Sequence, residues 1–233
     1  IALIDWQVSN LLTGESYCER VAALTRQATD QIFAMAGRVT KRDEKTAAAI
    51  FESLLLTGIA MSFTKTSRPG SGTEHIMAHF WECMELLDSK TPNYHGEDVG
   101  VTTLIMLRYY EALARLPQVT AHPEICNWDE IYSIYGPLAP DVQKLNTPDT
   151  ITDGIAPRWI EACWPQIRRI VQSVPSYDAC LAAMRQAGCK TTIEEVGKAP
   201  DFVDISFRFH PYMRRRLSLK RVSHMLDLPE DLF

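Results

Sequence analysis

The sequence predicts an all-α fold, organised as one domain over residues 1–233. Apolar residues recur at spacings of three and four along most of the chain, and several of these runs begin at helix-capping residues and end at Gly or Pro. A content of 46% hydrophobic and 23% charged residues is typical of a globular domain. We therefore expect about ten helices, without an internal repeat or a low-complexity tract.

The first two predicted helices occupy the N-terminal quarter of the chain. Ser16 and Glu19 predict a capping box for a helix that ends at Gly37. Asp43 predicts the start of the next helix, and apolar residues lie on most sides of that helix. We expect this second helix to be buried at the centre of the fold, whereas residues 1–6 carry no helix start signal.

Two long helices follow, each after a predicted loop. Residues 66–72 are a loop by composition, and a helix begins near Thr73 and runs to Asp88. Residues 92–96 form the second loop, before a long helix over residues 97–116.

Shorter helices are predicted in the second half of the chain, at residues 128–135, 139–145, 158–171, 177–187 and 193–196. A capping box is available to the last of these from Thr191 with Glu194 or from Thr192 with Glu195. Residues 202–213 fit both a strand and a helix face. A helix is favoured because a lone strand would find no partner in this chain.

Charge and composition exclude several classes of protein. The net charge is −5, so the basic residues Arg214 to Arg216, Lys220 and Arg221 predict a solvated or acid-paired helix face rather than a nucleic-acid reader. No apolar run approaches 18 residues, so we expect no membrane-spanning helix. The six cysteines form no C-x-x-C pair and no signal peptide is evident, which predicts a cytoplasmic protein.

Three of the six histidines lie close together in the sequence. His75 and His79 stand four apart on a predicted helix, so both imidazoles lie on one face, and His95 lies at the start of the next long helix. This arrangement suits metal ligation, or one ligand with a proton shuttle, but it is also compatible with ordinary imidazoles that make local hydrogen bonds. Motifs for a dinucleotide, a P-loop or an H-E-x-x-H zinc site are absent.

Two motifs around these histidines carry a family resemblance. They are Ser67-Arg68-Pro69-Gly70-Ser71-Gly72-Thr73-Glu74-His75, continuing to His79, and His95-Gly96-Glu97-Asp98-Val99-Gly100. This pair resembles the metal-site region of the sn-glycerol-1-phosphate dehydrogenases, which share a superfamily with dehydroquinate synthase and the iron-containing alcohol dehydrogenases. Residues 1–6 and 214–228 are similar to the family's Asp-Trp segment and basic C-terminal helix.

The resemblance implies a set of site residues. In that family an N-terminal α/β domain binds NAD or NADP, and a helical domain holds one divalent metal in the cleft between them. Carried across, His75 and His95 are metal ligands that we expect to approach each other, and His79 orients substrate or relays a proton. The third ligand of the family, an aspartate, falls upstream of Ile1 and is not Asp5. Lys65 and Arg68 are the candidate contacts for a substrate phosphate.

The implied function is that of the helical catalytic half of a metal-dependent enzyme that interconverts dihydroxyacetone phosphate and sn-glycerol 1-phosphate, or a similar polyol phosphate. Zinc is the expected metal, with nickel and iron as alternatives. The implied partners are the N-terminal nucleotide-binding domain and further copies of the chain, with neither nucleic acid nor membrane. Two other functions stay open: a carbocycle-forming lyase of the dehydroquinate synthase type, and a free-standing helical metal-binding domain without activity.

Overall fold

The computed structural model describes residues 1–233 and confirms the all-α fold. It contains no strand, and only one isolated bridge joins Ala121 to Leu226. The helices are α1 (Ala2–Thr13), α2 (Glu19–Met35), α3 (Glu44–Thr64), α4 (Thr73–Leu87), α5 (His95–Arg115), α6 (Trp128–Tyr135), α7 (Ala139–Asn146), α8 (Pro157–Val171), α9 (Tyr177–Gln186), α10 (Pro200–Phe209) and α11 (Leu219–Val222). Short 3₁₀ helices cover Ala36–Lys41, Gly136–Leu138, His210–Met213 and Ser223–Met225.

Helix α1 is an element that the sequence did not predict. No side chain caps its N-terminus, but Ile4, Trp6 and Val8 are almost fully buried, and the helix packs against α8. Gly14 ends it in the left-handed conformation, with φ of 73°. Burial rather than a local start signal therefore stabilises this helix.

The predicted N-terminal boundary of α2 is wrong, whereas its C-terminal end lies close to the predicted one. The capping residue is Cys18, and Ser16 instead accepts a hydrogen bond at its carbonyl from the Trp6 indole, 2.8 Å away. At the other end, the chain passes into a 3₁₀ helix at Ala36, one residue before the predicted stop at Gly37.

Helix α3 begins as predicted but lies at the surface rather than at the centre. The Asp43 carboxylate accepts the Thr46 amide at 2.8 Å, which confirms the N-cap. Phe51 and Phe63, however, are 62% and 70% exposed, because α3 packs mainly on α2 along one face.

By length and composition α3 is also apolar enough to cross a bilayer, so the expectation that no such helix exists is wrong. A single helix of this kind does not by itself establish a membrane protein.

The second half differs from the prediction in two places. Residues 200–209 are helical as expected, but residues 193–196 form a turn, in which Thr192 and Glu195 still make the reciprocal hydrogen bonds of a capping box. The expected basic C-terminal helix shrinks to the four residues of α11. Arg215 and Arg216 precede it and bind Asp149 and Ser67 respectively, so these two arginines join the C-terminal segment to the rest of the chain.

Asp5 connects α1 to three other elements. Its fully buried carboxylate accepts the Tyr110 hydroxyl at 2.7 Å, the Leu219 amide at 2.9 Å and the Thr73 amide at 2.8 Å. Burial raises the pKa of Asp5 to about 6, partly offset by the Tyr110 hydrogen bond. Asp5 is thus a structural residue that holds the starts of α4 and α11 against α1 and α5.

Candidate metal centre

The first turn of α4 is held from several sides, which sets the position of His75. Thr73 donates its amide to Asp5, and its hydroxyl to Nε2 of the buried His210 at 2.9 Å. Gly72 lies so close to α1 that a Cβ there would come within 2.7 Å of the Ala2 Cα. A side chain at Gly72 would therefore displace the whole start of α4.

The three predicted histidines come together at the surface. His75 and His79 lie one turn apart on α4, and His95 is the first residue of α5. The ring centroid of His95 is 5.3 Å from that of His75 and 4.8 Å from that of His79, whereas the His75 and His79 centroids are 6.5 Å apart. The antiparallel packing of α4 on α5, reinforced by the Thr102 hydroxyl donating to the Glu74 carbonyl, produces this convergence.

Each of these imidazoles contacts a carboxylate through Nδ1. Nδ1 of His75 lies 2.9 Å from Glu74, and Nδ1 of His79 and of His95 lie 2.9 and 2.5 Å from the two oxygens of Glu82. An ionised carboxylate only accepts hydrogen bonds, so each Nδ1 carries a proton. In the neutral imidazole, Nε2 then keeps its lone pair. Metal-binding histidines in proteins are usually held in this tautomer by a hydrogen bond from Nδ1 to a carboxylate or carbonyl.

Both supporting carboxylates are ionised at neutral pH. Burial alone would raise the pKa of Glu74, but the hydrogen bonds from His75 and the Gly72 amide, together with nearby positive charge, outweigh it and the pKa lies below its usual value. The pKa of Glu82 is lowered in the same way, where desolvation is outweighed by the hydrogen bonds from His95 and His79. Two negative charges therefore lie beside three imidazoles, an environment that attracts a cation.

The donor set fits a divalent transition metal. One ligand atom from each of His79, Glu82 and His95 lies within 4.8 Å of the others, and a third imidazole, His75, adjoins them. Imidazole with carboxylate is a set that zinc, nickel and iron all accept. Glu82 was not among the predicted site residues, although its position three residues after His79 on the same helix face was the available signal.

The two candidate phosphate contacts differ in their surroundings. Lys65 is exposed at the C-terminus of α3, in the left-handed conformation with φ of 53°. Arg68 is buried, and its guanidinium donates to Glu15, to the Leu217 carbonyl and to the Ser9 hydroxyl. These bonds give Arg68 a structural role at the junction of α1 with the C-terminal segment.

Comparison of the sequence with known proteins finds relatives that share one name. No protein-family model matches the chain. A protein of Geobacillus stearothermophilus named glycerol-1-phosphate dehydrogenase (NAD(P)+) is 26% identical over 232 residues, which is 100% of this chain and 50% of that protein. This chain is homologous to the C-terminal half of glycerol-1-phosphate dehydrogenases. It spans about half the length of these curated relatives, or less where the match is shorter.

Other glycerol-1-phosphate dehydrogenases match shorter parts of the chain at higher identity. The protein of Bacillus licheniformis is 33% identical over 144 residues, covering 62% of this chain and 35% of that protein. The protein of Methanothermobacter thermautotrophicus is 33% identical over 132 residues, covering 53% and 37% respectively. The similarity to glycerol-1-phosphate dehydrogenases thus extends to both bacterial and methanogen proteins.

Proposed function

We propose that this chain is the helical, metal-bearing half of an NAD(P)-dependent dehydrogenase that interconverts dihydroxyacetone phosphate and sn-glycerol 1-phosphate. The observation that carries the proposal is the convergence of three imidazoles, each with its Nδ1 proton held by Glu74 or Glu82. The homologous proteins carry the corresponding name and the NAD(P)+ designation. In this proposal residues 1–233 form one domain, and a separate α/β domain supplies the nucleotide site.

His75 and His95 are the proposed protein ligands of the metal, through Nε2. Their ring centroids lie 5.3 Å apart, and both rings are fixed through Nδ1 by different carboxylates. The third ligand in this arrangement is a carboxylate outside residues 1–233. Zinc is the proposed ion, because two imidazoles and one carboxylate with an open position are typical of catalytic zinc.

A bound divalent ion would polarise the substrate's secondary hydroxyl, or the carbonyl in the reverse direction. His79 is the proposed proton-transfer residue. Its Nε2 carries a lone pair next to the other two rings, and Glu82 stabilises the imidazolium formed when His79 accepts the hydroxyl proton. Glu82 also holds His95, so one carboxylate aligns the proton acceptor with a ligand.

The phosphate of the substrate requires a cation from the protein. Lys65 is the proposed contact, because its ammonium is exposed and no carboxylate lies within ion-pair distance. Arg68 then acts indirectly, by holding the loop between Lys65 and α4. We propose a homo-oligomeric cytoplasmic enzyme, with no nucleic-acid or membrane partner.

The experiment uses two preparations: the 233-residue chain alone, and the same chain joined to the nucleotide-binding half of a relative. Oxidation of NADH or NADPH by dihydroxyacetone phosphate is measured with and without added Zn²⁺, after removal of metal by a chelator. We expect turnover only from the joined protein with metal, and none from the chain alone. Robust turnover by the chain alone would contradict the two-domain proposal.

A further inference from the structure

A second group of titratable side chains lies away from the imidazole cluster. At the centre of this second group is Lys220 of α11, which is 3% exposed. Tyr109 packs on Lys220 and lies 14 residues after His95 on α5, or about 21 Å along the helix axis. The Lys220 ammonium lies 4.4 Å from the centroid of the Phe207 ring and 5.4 Å from that of Tyr109, so two aromatic faces enclose it.

Lys220 lacks the counter-ion that a buried lysine normally has. The other lysine with a side chain this buried, Lys198, pairs with Glu85 at 2.5 Å and with Asp98 at 3.4 Å. Lys220 instead has one polar partner, Nε2 of His224 at 2.8 Å. Since burying an unpaired ammonium is costly, this environment favours the neutral amine.

His224 is oriented to accept a proton from that amine. Nδ1 of His224 lies 3.4 Å from Glu124 and 3.2 Å from the Tyr212 hydroxyl, and this hydroxyl itself lies 3.3 Å from Glu124. Glu124 is buried and ionised, so Nδ1 carries the ring proton and Nε2 faces Lys220 with its lone pair. Carboxylate, imidazole and amine thus form a chain of hydrogen-bond partners, the arrangement that activates nucleophiles in hydrolases.

Lys220 and His224 line a cleft of about 420 Å³ together with Tyr109, Ile125, Phe207 and Leu228. A cleft of this size, with seven apolar and six polar or charged lining residues, accommodates a small organic molecule. The group that such a molecule would present to Lys220 must be an electrophile.

We propose that Lys220 is a reactive amine that binds a small aldehyde covalently, as a Schiff base, with His224 as its proton carrier. The nitrogen attacks the carbonyl carbon, a C–N bond forms, and the carbonyl electron pair moves to oxygen. His224 Nε2 takes the two amine protons in turn and returns them to that oxygen. The oxygen then leaves as water as the C=N bond forms, so no oxidant or reductant is required.

The electrostatics of the cleft agree with this geometry. Burial lowers the pKa of Lys220 to about 7. The charge of Glu124 acts against this shift, and the charges of Arg221 and Arg208 add to it. The ionisable groups around it on other elements are Tyr109, Glu124, Glu130, Arg208, His210 and Tyr212. Near neutral pH a large fraction of Lys220 is therefore the nucleophilic amine, whereas an ordinary lysine is almost entirely protonated.

Reductive trapping tests the proposal on the unmodified protein. The chain is treated briefly with benzaldehyde and cyanoborohydride at pH 7.5, and benzylation of each of the eight lysines is quantified by peptide mass spectrometry. We expect Lys220 to react at least ten times faster than the exposed Lys45 and the ion-paired Lys198. The rate at Lys220 should rise with pH through about 7, and that at Lys45 only at higher pH. Benzylation of Lys220 no faster than that of Lys45 would overturn the proposal.

The role of His224 has its own control. His224→Gln keeps a hydrogen-bond acceptor for Lys220 but cannot carry a proton, so the benzylation rate of Lys220 should fall about tenfold or more. The thermal unfolding midpoint and the rate at Lys45 are measured in the same samples, and both should stay close to wild type. If the rate at Lys220 is unchanged in a folded His224→Gln variant, His224 is not the proton carrier.

Discussion

The two histidine clusters of this protein contain the same kind of contact in opposite surroundings. On α4 and α5, Glu82 holds His79 and His95 at the surface, and the imidazole side chains are 38% and 44% exposed. In the 3₁₀ helix after α11, Glu124 holds His224 in more buried surroundings, where the imidazole is 19% exposed and the carboxylate 3%. In both places, a carboxylate that fixes Nδ1 leaves the lone pair of Nε2 available to another partner.

The surroundings of each cluster decide which group can meet the lone pair of Nε2. At the surface, nothing in the chain occupies the Nε2 positions, and three imidazoles converge on a region that a cation can enter. In the interior, Nε2 of His224 is occupied by Lys220, and burial lowers the pKa of His224 to about 4. In the two proposals, the same hydrogen bond orients a metal ligand in one cluster and a proton carrier in the other.

The largest effect is expected for His95→Ala. Removing this imidazole leaves His75 without its neighbouring ligand, and one ring does not hold a divalent ion against water. Zinc binding to the chain joined to a nucleotide-binding half, measured by titration calorimetry, should be lost. His122→Ala is the matched control, because that imidazole lies apart from the cluster and bonds to the Pro123 carbonyl. Retention of zinc by His95→Ala would contradict the proposed ligand set.

His79→Ala separates the ligand from the proton-transfer residue. In the protein joined to a nucleotide-binding half, this variant should keep its metal and lose about 10² to 10³ in kcat, the typical contribution of a proton-transfer group. Metal content and kcat are measured on the same preparation. If His79→Ala loses the metal, then His79 belongs to the ligand set together with Glu82 and His95.

The interior cluster is expected to respond in stability rather than in metal binding. Glu124→Gln removes the charge that pairs with Arg221 at 2.7 Å and leaves a buried guanidinium uncompensated, at a cost of about 3 kcal/mol in the free energy of unfolding. Urea unfolding measures the loss. Zinc affinity at the surface cluster should be unchanged in the folded variant, and a parallel loss of affinity would show that the two clusters are coupled.

Glu82→Gln is expected to weaken metal binding without abolishing it. A glutamine offers one oxygen as acceptor, so it can hold the Nδ1 proton of His79 or of His95 but not of both. Loss of such an orienting carboxylate typically costs 10-fold to 100-fold in metal affinity. Glu130→Gln, on the exposed side of α6, is the control. Complete loss of zinc would identify Glu82 as a ligand.

The smallest effect is a difference in acid stability. The folded pKa of His224 is about 4 and its unfolded value about 6.5, so the unfolded chain binds the extra proton between these values. Stability due to this group is therefore lost as pH falls from 6.5 toward 4. His224→Gln removes this dependence. Between pH 6.5 and 5 the variant should lose roughly 1.5 kcal/mol less than wild type in urea unfolding. Equal losses in the two proteins would contradict a neutral buried His224.

Local sequence was sufficient for the parts of the fold that local interactions stabilise. Asp43 predicted the start of α3 because its side chain caps the helix within three residues. The spacing of His75 and His79 predicted that both rings share one helix face, since that depends only on the helical repeat. The choice of a helix over residues 200–209 followed from the lack of any partner strand.

Features that depend on distant contacts could not be predicted in this way. Helix α1 forms because Trp6 and its neighbours are buried against later elements, and α3 is exposed although its sequence is as apolar as that of a core helix. Arg68, predicted as a phosphate contact, is buried beside Glu15 and the Leu217 carbonyl, and Leu217 is 149 residues away.

The chain by itself determined its helical class, the N-cap of α3, and the three histidines that define the surface cluster. Only the tertiary structure decided that Glu82 joins two of those histidines and that Lys220 meets His224 beside a cleft. The physical reason is that helix periodicity and capping act over three or four residues, whereas burial, ion pairing and pKa depend on which segments pack together.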